Sequence, residues 1–67
     1  MVKLTLNTYL DERGITRYQL SKATGIGYPI IDKYYKNAVT RYDSFLLDRI
    51  CAALHCDIAD ILCFSEN

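Results

Sequence analysis

The chain has 67 residues, and its 8 basic and 8 acidic side chains give a formal net charge of zero. This length is enough for one domain only, and a hydrophobic content of 51% argues against a disordered chain. No apolar stretch approaches the ~20 residues that a membrane-spanning helix needs, and the first residues lack a secretory pattern. We therefore expect a soluble cytoplasmic protein with no membrane partner.

The charges are divided unevenly along the chain. A total of zero argues against a nucleic-acid partner, because domains that bind nucleic acids are usually basic. Residues 13–41, however, carry six basic side chains against Asp32 alone, whereas residues 42–67 carry one basic and five acidic side chains. Such asymmetry predicts one positively charged working face, with most acidic residues away from it.

Two helices are predicted in the first third of the chain. Apolar residues at spacings of three and four indicate a helix over residues 3–13, and Gly14 suits the left-handed conformation that often ends a helix. A second helix over residues 17–24 is predicted to begin at Thr16, whose hydroxyl can accept a free N–H of the first turn. Gly25 ends it.

A third helix follows after the tripeptide 25–27, and so short a connection predicts a steep crossing of the two helices. Pro29 suits the first turn, where a missing N–H costs nothing. Because a residue before proline disfavours the α conformation, we predict Tyr28 as the N-cap. Ile31 and Tyr34 are spaced to point inward.

Two further helices are predicted in the acidic half. Asp43 or Ser44 can cap a fourth helix with an apolar stripe over residues 47–54, and Asp57 can cap a short fifth helix over residues 57–62. The prediction is therefore an all-α domain of five helices without a sheet, spanning residues 1–67.

Residues 15–28, ITRYQLSKATGIGY, resemble the helix-turn-helix of Cro/cI-type (Xre-family, lambda-repressor-like) transcriptional regulators. In that family a small residue lies midway through the second helix, a glycine opens the turn and aliphatic residues flank it. The corresponding residues here are Ser21, Gly25, Ile26 and Ile31. Residues 47–62 resemble the family's fourth and fifth helices. The resemblance implies a compact five-helix lambda-repressor-like fold, a helix-turn-helix at about residues 16–36 and sequence-specific binding of double-stranded DNA by a regulator, most simply a repressor.

The resemblance makes the third helix, about residues 28–36, the recognition helix in the major groove, with base contacts from Tyr28, Pro29 and Lys33. Lys33 can donate to guanine O6 and N7, and Tyr28 can donate a hydrogen bond or pack on a thymine methyl. Family members commonly have Gln, Arg, Ser or Thr at the first two positions. Tyr28 and Pro29 instead favour shape complementarity, apolar contact or DNA deformability, or Pro29 only starts the helix.

Predicted phosphate contacts lie at the start of the second helix, where free N–H groups favour an anion, and at the exit of the third helix. They are Thr16, Arg17, Lys36, Asn37, Arg41 and Tyr42. For Tyr42, a phosphate contact and a core position under the loop are equally open.

Dimerisation is expected because one recognition helix reads only a few base pairs, whereas a homodimer reads two halves of a partly palindromic site. The fifth helix and the tail at Cys63 and Phe64 are the apolar candidates for the dimer surface. The alternative function is a protein-interaction module on the same fold, such as an antitoxin or an anti-repressor partner.

Other chemistries find less support. Interleaved tyrosines and basic residues over 28–42 suit stacking on single-stranded bases, but helical spacing favours the core for Tyr34 and Tyr35. Cys51, Cys56 and Cys63, with His55, have no zinc-ligand spacing, and we expect small buried hydrophobic residues with free thiols in a reducing cytoplasm rather than a metal or redox sensor. His55 falls where a helix C-cap is expected. We predict no catalytic residues, no cofactor and no small-molecule ligand.

Overall fold

The computed structural model describes residues 1–66 of the chain. Within those residues the elements are β1 (Val2–Leu4), α1 (Leu6–Arg13), α2 (Arg17–Thr24), α3 (Tyr28–Tyr35), α4 (Ser44–Leu54), a 3₁₀ turn (Ile58–Asp60) and β2 (Leu62–Phe64). No helix in this described part of the chain has both the length and the apolar character that crossing a bilayer requires.

Nearly every element contributes a side chain to a single apolar core. Its buried residues are mostly leucine and isoleucine: Leu4, Leu6, Leu10, Leu20, Ile26, Ile31, Tyr34, Ile50 and Ile61. Burial of a leucine or isoleucine stabilises the fold by roughly 1.5–3 kcal/mol relative to its exposure. Because Ile31 and Tyr34 are in this core, as their spacing predicts, α3 turns its other faces outward.

The predicted C-terminal end of α1 and both predicted ends of α2 are confirmed. Gly14 and Gly25 are left-handed, with φ of 66° and 75°, a conformation that glycine adopts without a steric penalty. Thr16 forms a capping box: its Oγ1 accepts from the Gln19 N–H at 3.0 Å, and its own N–H donates to Gln19 Oε1 at 2.9 Å. A cap of this kind contributes about 0.5–2 kcal/mol.

The connection between α2 and α3 is held by short polar contacts. The Ser21 hydroxyl donates to the Ile26 carbonyl at 2.5 Å, and the Ile26 N–H donates to Thr24 Oγ1 at 3.2 Å. These hydrogen bonds pair backbone groups that burial of Ile26 would otherwise leave without water. Both backbone groups of Ile26, in the turn that orients α3 against α2, are therefore hydrogen-bonded to side chains of α2.

The prediction that Tyr28 caps α3 is wrong. The Gly27 carbonyl accepts from the N–H groups of Ile30 and Ile31, at 3.0 and 3.2 Å, so Gly27 is the N-cap and Tyr28 is the first helical residue. Pro29 lies at the second helical position, where its missing N–H has no intrahelical role. Tyr28 is thus helical although a residue before proline disfavours the α conformation. The hydrogen bonds to the Gly27 carbonyl begin the helix one residue earlier than predicted.

The predicted ends of α4 are confirmed. Asp43 is the N-cap, and its Oδ1 accepts from the N–H groups of Phe45 and Leu46 at 2.8 and 3.4 Å. His55 ends the helix in the left-handed conformation, with φ of 54°. Its position there supports a structural role, because the backbone conformation, not the imidazole, defines the cap.

The prediction of five helices without a sheet is wrong at both ends of the chain. Residues 3 and 4, predicted as the start of the first helix, belong with Val2 to β1, which pairs antiparallel with β2 in the register Val2–Phe64, Lys3–Cys63 and Leu4–Leu62. The Thr5 N–H then donates to the Ile61 carbonyl at 2.7 Å. The hydrophobic period of so short an apolar run does not distinguish a helix from a strand. Pairing between distant segments therefore determines the conformation of these residues.

The predicted fifth helix is a single 3₁₀ turn. Asp57 precedes it, and its N–H donates to Asp60 Oδ2 at 3.0 Å. After Ile61 the chain becomes extended, because the backbone groups of residues 62–64 are satisfied by β1 rather than by another helical turn.

Candidate nucleic-acid interface

The outward surface of α3 carries two of the three predicted base contacts, Pro29 and Lys33, together with the predicted phosphate contact Lys36. With 100° between successive residues, Pro29, Lys33 and Lys36 lie opposite the buried pair Ile31 and Tyr34. All three outward residues are exposed. This face is the part of α3 that would meet a nucleic acid approaching the helix.

Tyr28 and Ile30 lie on the two flanks of α3, and their side chains are 41% and 42% exposed. The Tyr28 flank lies on the side of Arg17, at the start of α2. Ile30 was not predicted as a site residue. A helical wheel would have placed it near the inward face, yet its side chain is free for apolar contact beside Lys33.

A carboxylate on α3 binds two of the predicted phosphate contacts. Arg17 Nη1 lies 2.5 Å from Asp32 Oδ1, and Lys36 Nζ lies 3.0 Å from Asp32 Oδ2. The hydrogen bond with Lys36, together with that from Arg17, lowers the pKa of Asp32. The hydrogen bond with Asp32 correspondingly raises the pKa of Arg17. These three side chains, Arg17, Asp32 and Lys36, are called the charge triad below.

The triad extends to α1 through an aromatic side chain. The Arg17 guanidinium lies 4.6 Å from the centre of the Tyr35 ring, and the Tyr35 hydroxyl donates to Asp11 Oδ1 at 2.7 Å. That hydrogen bond to Asp11 raises the pKa of Tyr35. Arg17 is thus held from two sides. Asp11, an acidic residue, lies closer to this surface than the charge partition alone predicts.

The start of α2 presents backbone donors beside this arginine. The Thr16 hydroxyl and carbonyl accept from the N–H groups of Gln19 and Leu20, which leaves the first two N–H groups of the helix, those of Arg17 and Tyr18, without an intrahelical acceptor. An open groove of about 450 Å³ adjoins them. Its walls are Leu10, Asp11, Gly14, Ile15, Thr16, Arg17 and Tyr35.

The loop after α3 contains two residues with structural contacts. Asn37 is left-handed, with φ of 58°, and its Oδ1 accepts from the Leu4 N–H at 3.0 Å. The half-buried Tyr42 ring meets the Tyr34 ring edge to face, with centroids 6.5 Å apart. Asn37 therefore joins this loop to β1, and Tyr42 packs on the core, which supports the structural alternative for its ring.

Among the basic residues of the segment 13–41, Lys33 and Arg41 are the least committed to the fold. Residues 1–66 contain two ion pairs, and both use Asp32, so Lys33 and Arg41 take part in neither. Both side chains are exposed. They are free to meet an external anion without breaking an internal ion pair, whereas Arg17 and Lys36 are shared with Asp32.

The three cysteines are free thiols, as expected, but they are partly rather than fully buried. Cys56 contacts Cys51 and Tyr9, and burial raises its pKa to about 11, so it is protonated and unreactive near neutral pH. Among residues 1–66, no three His, Cys, Asp or Glu side chains are grouped closely enough to hold a metal ion. The thiol or metal sensor therefore gains no support from the geometry.

Two consecutive helices joined by a tripeptide, with an exposed basic face on the second, define a helix-turn-helix domain. The chain belongs to the family of Cro/C1-type HTH DNA-binding domains, whose model matches residues 5–67. The predicted family is thereby confirmed. Comparisons with curated proteins and with solved structures returned no significant match.

Proposed function

We propose that this protein is a sequence-specific regulator of transcription, a repressor, whose single domain spans residues 1–67 with the helix-turn-helix at about 16–36. Membership of a DNA-binding family supports double-stranded DNA as the partner. The observation that carries the proposal is the exposed outward face of α3, with Lys33 at its centre and Lys36 at its end. Such a protein would act in the cytoplasm, at the nucleoid.

In this proposal α3 occupies the major groove, which is about 12 Å wide and accepts a helix. Lys33 donates to guanine, while Tyr28 and Pro29 contact base edges by shape and apolar surface. Ile30 adds a second apolar contact, suited to a thymine methyl. Because Tyr28 and Pro29 offer few hydrogen bonds, DNA shape contributes to the choice of site.

Phosphate contacts position the domain without reading sequence. We assign them to the start of α2, through the Arg17 N–H and side chain and the Thr16 hydroxyl, and to the exit of α3. The exit contributes Lys36, Arg41, the Asn37 amide and the Tyr42 hydroxyl. Arg41 is the strongest of these, since no internal partner competes for it.

A homodimer on a partly palindromic site completes the proposal. Two recognition helices about 34–36 Å apart would read successive major grooves. The terminal sheet offers an apolar surface for the contact: Val2 and Phe64 are paired across its strands and are 50% and 71% exposed. Sedimentation equilibrium with Phe64→Ser as the variant tests it, and a wild-type monomer at high concentration would contradict it.

Titration of labelled duplexes by fluorescence anisotropy tests DNA binding directly. With several phosphate contacts, log Kobs should fall by about 0.9 per contact for each tenfold rise in salt. Lys33→Ala should cost about 1–3 kcal/mol at one or two base pairs, and Arg41→Ala should weaken all sequences alike. Arg49→Ala, which removes an exposed cation from α4, is the matched control. No binding at low salt would overturn the proposal.

The alternative, a protein-interaction module, is favoured by one observation. Phe45 in the first turn of α4 is 78% exposed, and an aromatic side chain so exposed is suited to a protein partner. A protein that binds no duplex at low salt, but whose partner complex is lost on Phe45→Ala, would support this function instead.

A further inference from the structure

Asp32 is the single acidic residue among residues 13–41, and it lies on the helix proposed to enter the groove. Its side chain is 23% exposed and touches a cation at each oxygen, Arg17 at Oδ1 and Lys36 at Oδ2. A carboxylate at a surface that must approach phosphates is costly for DNA binding, because like charges repel. We therefore consider what this carboxylate contributes to DNA binding.

The first consequence concerns arbitrary DNA. Arg17 and Lys36 flank Asp32 and are both proposed phosphate contacts, yet the charge triad carries only one net positive charge. To neutralise two phosphates, the two cations must share their hydrogen bonds with Asp32 or leave it. DNA binding through this surface then releases fewer counterions, so the affinity for DNA of arbitrary sequence is lowered.

The second consequence concerns base edges. Each carboxylate oxygen has about two acceptor positions, so the two ion pairs leave Asp32 able to accept a further hydrogen bond. It lies one residue before Lys33 on α3, at the edge of the outward face. In the major groove a carboxylate accepts from the exocyclic amino group of cytosine, whereas guanine O6 and N7 offer only acceptors to it.

We propose that Asp32 is a specificity-determining residue of the DNA interface. Its carboxylate holds Arg17 and Lys36 and suppresses binding to arbitrary sequence, and at the target site the N4 amino group of a cytosine offsets that cost. This inference rests on the proposed function. It adds a residue that discriminates by penalising wrong sequences as well as by favouring the right one.

The test compares Asp32→Asn with wild type in the full chain, on a mixed-sequence duplex at several salt concentrations. The variant should bind arbitrary DNA more tightly, and its slope of log Kobs against log salt should be steeper by about 0.9, equivalent to one more phosphate contact. Between 50 and 200 mM salt this extra slope amounts to about a threefold to fourfold change. Asp48→Asn, at an exposed position on α4, removes the same charge as a matched control.

Selection of bound sites from random duplexes supplies the second readout. Wild type should require cytosine at one position of each half-site, and Asp32→Asn should accept other bases there. Asp32→Glu keeps the charge on a longer stem, so it should keep the low affinity for arbitrary DNA and lose the cytosine preference. Circular dichroism shows that each variant is folded, and Asp32→Glu carries the test if Asp32→Asn is not.

Three outcomes would overturn the inference: Asp32→Asn behaves as Asp48→Asn does, Asp32→Asn weakens binding to every duplex, or the base preference survives in both Asp32 variants. The second would make Asp32 only a positioning residue for Arg17. Failure of the proposed function is distinguishable, because wild type would then bind no duplex even at low salt.

Discussion

The α2–α3 unit and the terminal sheet obtain their structures in different ways. In the α2–α3 unit, caps at Thr16 and Gly25 and the Ser21 hydrogen bond define each boundary within a few residues. In the sheet, β1 and β2 are three residues each and satisfy their backbones only by pairing with a segment about 60 residues away. The first region is locally encoded, and the second depends on the completed fold.

A core substitution in the locally encoded region should have the largest effect. Leu20 on α2 is 1% exposed, so Leu20→Ala should lower the free energy of unfolding by about 2–5 kcal/mol, through lost burial and the cavity left behind. Urea denaturation followed by circular dichroism measures it. For a domain of this size, that loss is a large part of the total stability.

Removal of a cap should rank second. Thr16→Ala loses the hydroxyl that accepts from the Gln19 N–H and should lower the free energy of unfolding by about 0.5–2 kcal/mol. Thr16→Ser keeps that acceptor and is the control. Equal stabilities for the two variants in thermal unfolding would show that the capping box contributes nothing, and the α2–α3 unit would then depend on tertiary packing as the sheet does.

In the sheet, removal of side-chain bulk should have less effect. Val2 is half exposed in β1, and Val2→Ala should change the free energy of unfolding by no more than about 0.5 kcal/mol, as is usual for surface positions. Urea denaturation alongside Leu20→Ala gives the comparison. A loss as large as that of Leu20→Ala would mean that the sheet, rather than the helical core, limits the stability of the domain.

The same contrast explains how far the sequence predicts the fold. Gly14, Thr16, Gly25 and Asp43 act on the backbone beside them, so their residue types were sufficient to place helix ends. Residues 2–4 and 62–64 carry no such signal, because their partners are distant in sequence. Pairing between segments so far apart in sequence depends on the folded core and cannot be found from a local hydrophobic period.

The candidate site divides in the same way. The exposure of Pro29 and Lys33 follows from the period of α3 alone. The contact of Asp32 with Lys36 was available from their spacing of four residues, although we did not predict it. Its contact with Arg17 depends on how α2 packs against α3, and no spacing within one helix reveals it.

The smallest effect expected is the acid response of the charge triad, whose Arg17–Asp32 contact depends on how α3 packs against α2 and not on the local signals that end those helices. The folded protein holds the pKa of Asp32 below its ordinary value of 3.8, chiefly through its hydrogen bond to Lys36 and also through Arg17. The unfolded chain binds a proton to Asp32 more readily, so the stabilisation is present above about pH 4 and is lost as the pH falls below it. Asp32→Asn should therefore be less stable than wild type at pH 7, and the difference should shrink as the pH falls below about 4 and the carboxylate of the folded protein is protonated. Thermal unfolding of both proteins across that range measures it. A difference that stays constant with pH would show that ionisation of Asp32, and with it these ion pairs at a solvent-exposed surface, contributes nothing to the free energy of folding.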